Sequence, residues 1–369
     1  MSIAIVDRSA VLVAGVLILA SVCGQAKADG ACDFGNLAPT EKLYQLHKDG
    51  SIFVKNDKAC TSPACFGGWF LLDNNPNTVS IAAYCDLYQM HSNGAIFHYT
   101  GNGTAQDQCT IGGFCGHWEP QDLNPQTKAI AVGAPPLGGP PVLFQMHGNG
   151  SIFRRNGKPC KEAQCFGGWD AIDLNPATVA IAAGTKGLYQ LHSDGTIFRW
   201  DGRTTCDGRG CVGWTLLDQS VNVSITVGHG LYRKDKDGGI FHYVGGDEPC
   251  TTSPCPGWQK IGQDTETMAI KSGNPSLFRL RHDGKVLQQP NNSCPSGPNC
   301  FDGWILLDQH PDTVAITAGR QLYQMRRDGS IFHFNGRPCG TTPGCSEAWD
   351  QLDANPNTAG IVVNGNLSR

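Results

Sequence analysis

The sequence predicts an all-β fold, a seven-bladed β-propeller of four-stranded antiparallel blades, and two observations carry that prediction. One stretch, Leu43-Tyr-Gln-Leu-His-Lys-Asp-Gly-Ser-Ile-Phe53, recurs from Leu87, Leu143, Leu188, Leu231, Leu277 and Leu322, at steps of 44, 56, 45, 43, 46 and 45 residues. Each copy then offers four short strand-like segments broken by turn residues. Four strands in roughly 45 residues, repeated around a ring, describe propeller blades, whereas a β-solenoid uses shorter repeats without such meanders. A prior of roughly 150 residues per domain would suggest two domains. The repeat replaces it with one ring spanning residues 29–369.

Within a unit, Leu43–His47 and Ser51–Lys55 flank Asp49-Gly50, which reads as a two-residue type I′ hairpin turn. That turn would set Gln45 opposite Val54 and His47 opposite Ile52. Asn93-Gly94, Asn149-Gly150, Asp194-Gly195, Asp283-Gly284 and Asp328-Gly329 repeat it. A third strand follows at Gly68–Leu72, around a Trp whose register recurs at Trp69, Trp118, Trp169, Trp214, Trp258, Trp304 and Trp349; this column is expected to be core. A fourth, Val79–Ala83, comes after the Asn75-Pro76 turn, and its small residues suit strands crowded around a central axis. The first unit lacks its own small-residue strand and the last has one to spare, Thr358–Val363. The spare is expected to pair beside Leu43–His47, so that blade 1 draws on both ends of the chain and no sheet edge stays open. The one long step holds an insertion, Ala134–Pro141, which reads as a surface loop.

Composition agrees. The 47 Gly and 22 Pro supply seven sets of turns, and 16% charged residues is low, as expected when blade faces are buried. A net charge of -4, with no Lys/Arg run longer than two, excludes an electrostatic nucleic-acid binder. Arg8, the apolar run 10–20 and Ala26-Lys27-Ala28 predict a signal peptide over residues 1–28. The apolar run is too short to span a bilayer, and no later segment replaces it. The expectation is a secreted or periplasmic monomer.

Fourteen of the 17 cysteines form local pairs in the loop before each Trp: Cys60/Cys65, Cys109/Cys115, Cys160/Cys165, Cys206/Cys211, Cys250/Cys255, Cys294/Cys300 and Cys339/Cys345. Zinc needs about four ligands at one place, and these pairs are dispersed without repeated His beside them, so disulfides are expected and no metal. Cys23 leaves with the signal peptide, and Cys32 and Cys85 are expected to pair. Asn-x-Ser/Thr sequons stand at Asn102, Asn149, Asn222, Asn291 and Asn366.

No phosphate loop, His-Glu-x-x-His or nucleophile elbow is present, so a non-catalytic protein without cofactor is expected. The stronger signal is a set of polar columns. One reads Gln45, Gln89, Gln145, Gln190, Arg233, Arg279 and Gln324, and a second reads His47, His91, His147, His192, Asp235, Arg281 and Arg326. A third, assigned to the same face by the two-residue turn, reads Val54, His98, Arg154, Arg199, His242, Gln288 and His333. The other face carries Tyr44, Tyr88, Phe144, Tyr189, Tyr232, Phe278 and Tyr323. A groove between such faces would offer a sugar donors, acceptors and an aromatic plate. The candidate ligand residues are Gln45, His47, Tyr88, Gln89, His91, His98, Gln145, His147, Arg154, Tyr189, Gln190, His192 and Arg199. Buried polar groups bonding across blades would produce the same columns. The exchange of His for Asp and Arg within the second column argues for positions near solvent.

The repeated Leu-Tyr-Gln-Leu-His-x-Asp-Gly-x-Ile-Phe, followed by Cys…Cys…Gly-Trp…Leu-Asp and Ile-Ala-Ala, resembles the tectonin and tachylectin type of propeller repeat over residues 43–363. That family includes lectins with sites spread around the ring, so the resemblance implies multivalent binding of glycans or glycoconjugates at a cell surface. This repeat is longer, carries cysteine pairs, and is degenerate in its fifth and sixth copies, with Gly262 in place of the Asp of Leu-Asp and Val286-Leu287 for Ile-Phe. The contrasting expectation is a protein-interaction platform using one ring face, the 134–141 insertion included. A propeller hydrolase or oxidoreductase is the remaining alternative.

Overall fold

The computed structural model describes residues 41–56, 65–101, 116–158, 166–203, 206–207, 210–228, 230–246, 248–273, 276–290, 300–301, 303–337, 339 and 343–364. The expected signal peptide lies outside the described residues.

The chain folds as a seven-bladed propeller. From the axis outward, blade 2 runs Thr78–Ala83, Leu87–His91, Ile96–Tyr99 and Trp118–Asp122, each strand antiparallel to the next. Blade 3 repeats this as Thr127–Gly133, Val142–His147, Ile152–Arg155 and Trp169–Asp173, and blade 4 as Thr178–Gly184, Gly187–His192, Ile197–Trp200 and Trp214–Asp218. Blade 5 is Asn222–Val227, Leu231–Asp235, Gly239–Tyr243 and Trp258–Gln263; blade 6 is Thr267–Ser272, Leu277–Arg281, Val286–Gln288 and Trp304–Asp308. Blade 7 is Thr313–Ala318, Leu322–Arg326, Ile331–Phe334 and Trp349–Asp353. The small-residue strand that ends each sequence unit is thus the inner strand of the following blade. The inner strands touch in an unbroken circle, each packed against the next.

The circle closes with the spare C-terminal strand. Thr358–Asn364 pairs with Lys42–His47 from Lys42↔Asn364 to His47↔Thr358, and Ile52–Lys55 and Trp69–Asp73 complete blade 1. Ile361, Val362 and Val363 are buried there.

The hairpins differ from the expected two-residue turn. His47 N–H donates to Ser51 O at 2.8 Å and Gly50 N–H to His47 O at 3.0 Å, so the loop is the three residues Lys48-Asp49-Gly50, with Gly50 left-handed at φ 84°. This is a type I turn ending in a bulge glycine. Asp49 Oδ1 accepts from Ser51 N–H, which is why Asp or Asn precedes the glycine. A Cβ on Gly50 would lie 2.0 Å from Asn75 O, so close approach as well as φ demands glycine. The register becomes Tyr44↔Val54, Gln45↔Phe53 and Leu46↔Ile52. A one-residue slip moves a strand's side chains to the other face. Hence the Val54 column, with His98, Arg154 and Arg199, lies beside the tyrosines and not beside Gln45 and His47.

Disulfides join Cys206–Cys211, Cys250–Cys255 and Cys339–Cys345, as expected from their spacing. The other four local pairings fall outside the described residues. Cys109, Cys115, Cys160 and Cys165 lie wholly beyond them. Cys65 and Cys300 begin the short strands Cys65–Phe66 and Cys300–Phe301, which flank the Trp strands of blades 1 and 6, while their expected partners Cys60 and Cys294 are not described. Cys85 is disulfide-bonded, and its expected partner Cys32 lies outside the described residues. Among the described residues no helix is long and apolar enough to cross a membrane.

Candidate functional site

Each blade joins the next through a turn such as Asn75-Pro76-Asn77-Thr78, closed by Thr78 N–H on Asn75 O at 3.1 Å. Pro at its second position and Asn at its first suit a type I turn. The hairpin turns sit against these crossovers: Lys48, Ser92, Gly148, Ser193, Lys236, His282 and Arg327 donate backbone N–H to the carbonyls of Asn357, Asn77, Gln126, Ala177, Val221, Glu266 and Asp312. One end of the ring, the crossover face, therefore carries both sets of turns from all seven blades.

Beneath it lies the first polar column, and its side chains serve the ring. In blade 2, Thr78 Oγ1 donates to Gln89 Oε1 at 2.6 Å, and Gln89 Nε2 donates to Asp73 Oδ2 of blade 1 at 2.7 Å. Gln145 links Thr127 and Asp122 in the same way, while Gln190 and Gln45 accept from Thr178 and Thr358. The Asp uses its other oxygen to accept the N–H of the crossover, as Asp73 does from Asn74. Blade 5 builds the clasp from Arg233, Asn222 and Asp218. Gly262 does not delete the clasp acid in the next junction: Asp264, two residues beyond, pairs with Arg279 and Arg281. Burial raises the carboxyls of Asp73, Asp122 and Asp308 above the usual range, and their Gln bonds offset only part of that.

The histidines of the second column are buried too, while Asp235, Arg281 and Arg326 are half-buried. His47, His91, His147 and His192 are 5–6% exposed, against the solvent-near placement expected from the His/Asp/Arg exchange. Each imidazole lies over the Phe of its own hairpin, with ring centroids 4.4–4.6 Å apart. The exchange is tolerated because the partner changes with the residue. Asp235 accepts the N–H of Asp237 and Gly239 in its own turn, and Arg281 pairs with Asp264 and Asp283.

On the other blade face, Tyr88 stacks on His98 at 4.7 Å, and His98 Nε2 is 3.7 Å from Asp86. Arg154 pairs with Asp170 at 2.8 Å over the Trp200 ring, and Tyr189 stands opposite Arg199. These tyrosine faces meet the Gln/His face of the following blade, so the candidate ligand residues do meet at blade junctions, but as packed and bonded walls. Asn222, one of the sequon residues, is buried with its amide donating to Asp218 and Gly195.

The Trp column staples the rim. The indole N–H of Trp118, Trp169, Trp214, Trp258 and Trp349 donates to the outer strand of the preceding blade, at Leu72, Gln121, Ile172, Leu217 and Leu307 O, over 2.8–3.1 Å. Trp214→Phe keeps an aromatic ring, though a smaller one, and removes the donor. The expected cost is about 1–3 kcal/mol, read as a lower urea midpoint at unchanged slope.

Sequence reasoning passed over two features. Lys271 stands in the inner strand of blade 6 where other blades have Ala82, Ala131 or Ala182, and burial pushes its ammonium down to about 7. The second is apolar. Among the described residues nine large apolar side chains are exposed, and six of them, Val79, Leu123, Leu174, Val179, Val221 and Val223, belong to crossovers or the first turn-side residues of inner strands in blades 2 to 5. Among the described residues in the crossover and hairpin turns of blades 2 to 4, Lys128 and Asp194 are the exposed charges, and no exposed aromatic ring occurs. Elsewhere on the face, exposed Lys48, Asp49, Lys236, Asp237, Glu266, Asp283, Asp312, Arg327 and Asp328 crowd the turns. Among the described residues no cluster of three His, Cys, Asp or Glu could hold a metal.

No protein-family model and no curated protein matches the chain in sequence. Solved propellers match in shape. Human WBSCR16 is 14% identical with a TM-score of 0.50, covering 85% of this chain and 93% of its own. Prp20p from Saccharomyces cerevisiae is 12% identical with a TM-score of 0.47, covering 77% and 80%. A chain of the nidogen/laminin complex is 11% identical with a TM-score of 0.41, covering 88% and 98%. At these identities the likeness shows the fold alone.

Proposed function

We propose that this protein is a non-catalytic, disulfide-stapled interaction platform that docks a protein partner on the crossover face over blades 2 to 5. The observation that carries the reading is a run of exposed aliphatic side chains, Val79, Leu123, Leu174 and Val179, at the charge-poor turns of blades 2 to 4, continued into blade 5 by Val221 and Val223, where Lys236 and Asp237 border it. Exposed apolar side chains concentrated on one side of a folded domain mark an interaction site. Its chemistry selects the occupant. Without a cluster of cations it offers nothing to phosphates, and without an exposed aromatic plate it offers little to the C–H face of a sugar. Aliphatic side chains set among uncharged Asn, Ser, Gly and Pro suit an apolar, charge-poor protein surface. The local disulfides fit an oxidising compartment outside the cytoplasm.

Immobilised wild-type protein, V79D/V179D/V223D and the rim control V212D/V244D are exposed to the source organism's extracellular proteins. The expected result is a partner held by wild type and control and weakened roughly tenfold or more by the triple variant, as for loss of apolar anchors, with no competition by free sugars. Equal retention by all three proteins refutes the docking face. Retention competed by free sugar instead supports the lectin reading that the repeat motif implies.

A further inference from the structure

The four histidines of the second column form a set with one unusual property. Nε2 of His47, His91, His147 and His192 is buried and has no hydrogen-bond partner among the described residues. These are polar atoms at one repeat position, directly at the base of the hairpin turns that build the crossover face. The equivalent residues in blades 6 and 7 show what a cation requires there. Arg281 is met by Asp264 and Asp283, and Arg326, lying 3.9 Å over the Phe332 ring, is faced by Asp308, Asp312 and Asp328.

The histidine blades do not supply this equally. His47 is faced by Asp49 of its own turn and Asp353 of blade 7, and His192 by Asp194 of its turn and Asp173 of blade 3. His91 and His147 have no such pair acting on them among the described residues. Their junction acids, Asp73 and Asp122, are taken up by Gln89 and Gln145, with Arg155 acting on Asp122 as well. Their turns are Ser92-Asn93-Gly94 and Gly148-Asn149-Gly150, without an acid, and the side chain of Lys128 packs beside Gly148. A proton arriving on either imidazole would create a buried, uncompensated charge, with Lys128 adding repulsion in blade 3.

We propose that His91 and His147 make the turns of blades 2 and 3 an acid-sensitive device, which holds those turns against their crossovers at neutral pH and releases them on acidification. Burial lowers both imidazoles below the ordinary value, so the folded state prefers them neutral. The stability they contribute is present above the ordinary histidine value near ~6.5 and is lost as pH falls through the lowered one. The turns that loosen are those of the apolar sector, so acid would alter the docking surface where it is least charged. That consequence rests on the docking reading; the device itself does not.

The test is amide hydrogen exchange of the full-length protein at about pH 7.5 and about pH 5.5, corrected for intrinsic rates. It reads the turn amides of Ser92 and Gly148, with Arg327 of blade 7 as internal reference. A local readout is needed because Lys271, whose ammonium titrates near 7, shifts global stability in the same direction. Protection of Ser92 and Gly148 is expected to fall several-fold relative to Arg327, since folding lowers both imidazoles by burying them. H91Q should abolish the fall at Ser92 alone, and H147Q the fall at Gly148 alone. Equal protection at the two pH values in wild type overturns the proposal, as does a fall that survives both substitutions. No partner takes part, so this outcome is independent of whether the crossover face docks a protein.

Discussion

Deleting Thr358–Asn364 is expected to abolish cooperative folding. The segment supplies the inner strand of blade 1, pairs with Lys42–His47 at six positions, and packs against the inner strands Thr313–Ala318 and Thr78–Ala83 on either side. Ile361, Val362 and Val363 would lose their burial at about 1.5–3 kcal/mol each. A whole domain has about 5–15 kcal/mol to lose. The deletion also leaves Lys42–His47 as an unpaired edge at the most crowded part of the ring. The expected observables are a flattened near-ultraviolet circular dichroism spectrum and a broad urea transition. A permutant with Thr358–Asn364 fused through a short turn before Lys42, mimicking the Ala83-to-Leu87 connection of blade 2, separates pairing from closure. It should regain the strand pairing yet unfold at lower urea than the native chain, because the chain no longer runs from the outer strand of blade 7 into the inner strand of blade 1. A deletion variant with an unchanged midpoint would falsify the closure role.

That closure was legible in the sequence because a missing strand at one end and a spare at the other admit one pairing within a ring. The blade order was legible for a similar reason: the small-residue strand fits only beside the axis. The hairpin register was not. Asp49-Gly50 serves both a two-residue turn and a three-residue turn with a bulge glycine, and the difference lies in whether Lys48 belongs to the strand or to the loop. That single residue moved His98, Arg154 and Arg199 from the expected Gln/His face to the tyrosine face. The exchange of His, Asp and Arg in one column also misled. Variation usually signals solvent, but here each residue type finds its own buried or turn-bound partner. The apolar sector was hidden because Val79, Val179 and Val223 lie in strands whose neighbours are buried. A residue shift just after Thr78, Thr178 or Asn222 in each inner strand leaves them facing out, and nothing in the amino-acid pattern announces it.

Arg233 shows how firmly the clasps are set, and its removal is expected to be the most damaging single substitution within them. Arg233 is almost wholly buried, 2.8 Å from Asp218 Oδ2, and its Nη1 donates to Asn222 Oδ1 at 2.7 Å. It also lies 3.8 Å over the Phe241 ring and 4.8 Å over Trp258. Asp218 is equally buried, and on the protein side it would keep the Asn222 amide and Ser220 after the cation had gone. Breaking one partner out of a buried pair costs about 3–5 kcal/mol, mostly as the penalty of the orphaned charge. R233M is therefore expected to lower stability by that amount in urea unfolding. The other blades supply the rescue. In blade 2 the same acid is satisfied without any cation, by Gln89 on Asp73 with Thr78 on the far side of the glutamine. R233Q/N222T installs that arrangement in blade 5 and should return stability to within about 1 kcal/mol of wild type, the spread of one neutral hydrogen bond. If R233M and the double variant unfold together, the column's residues act as independent packing units. Separation of the two by several kcal/mol would show that they work as one clasp, with interchangeable members and a fixed acid.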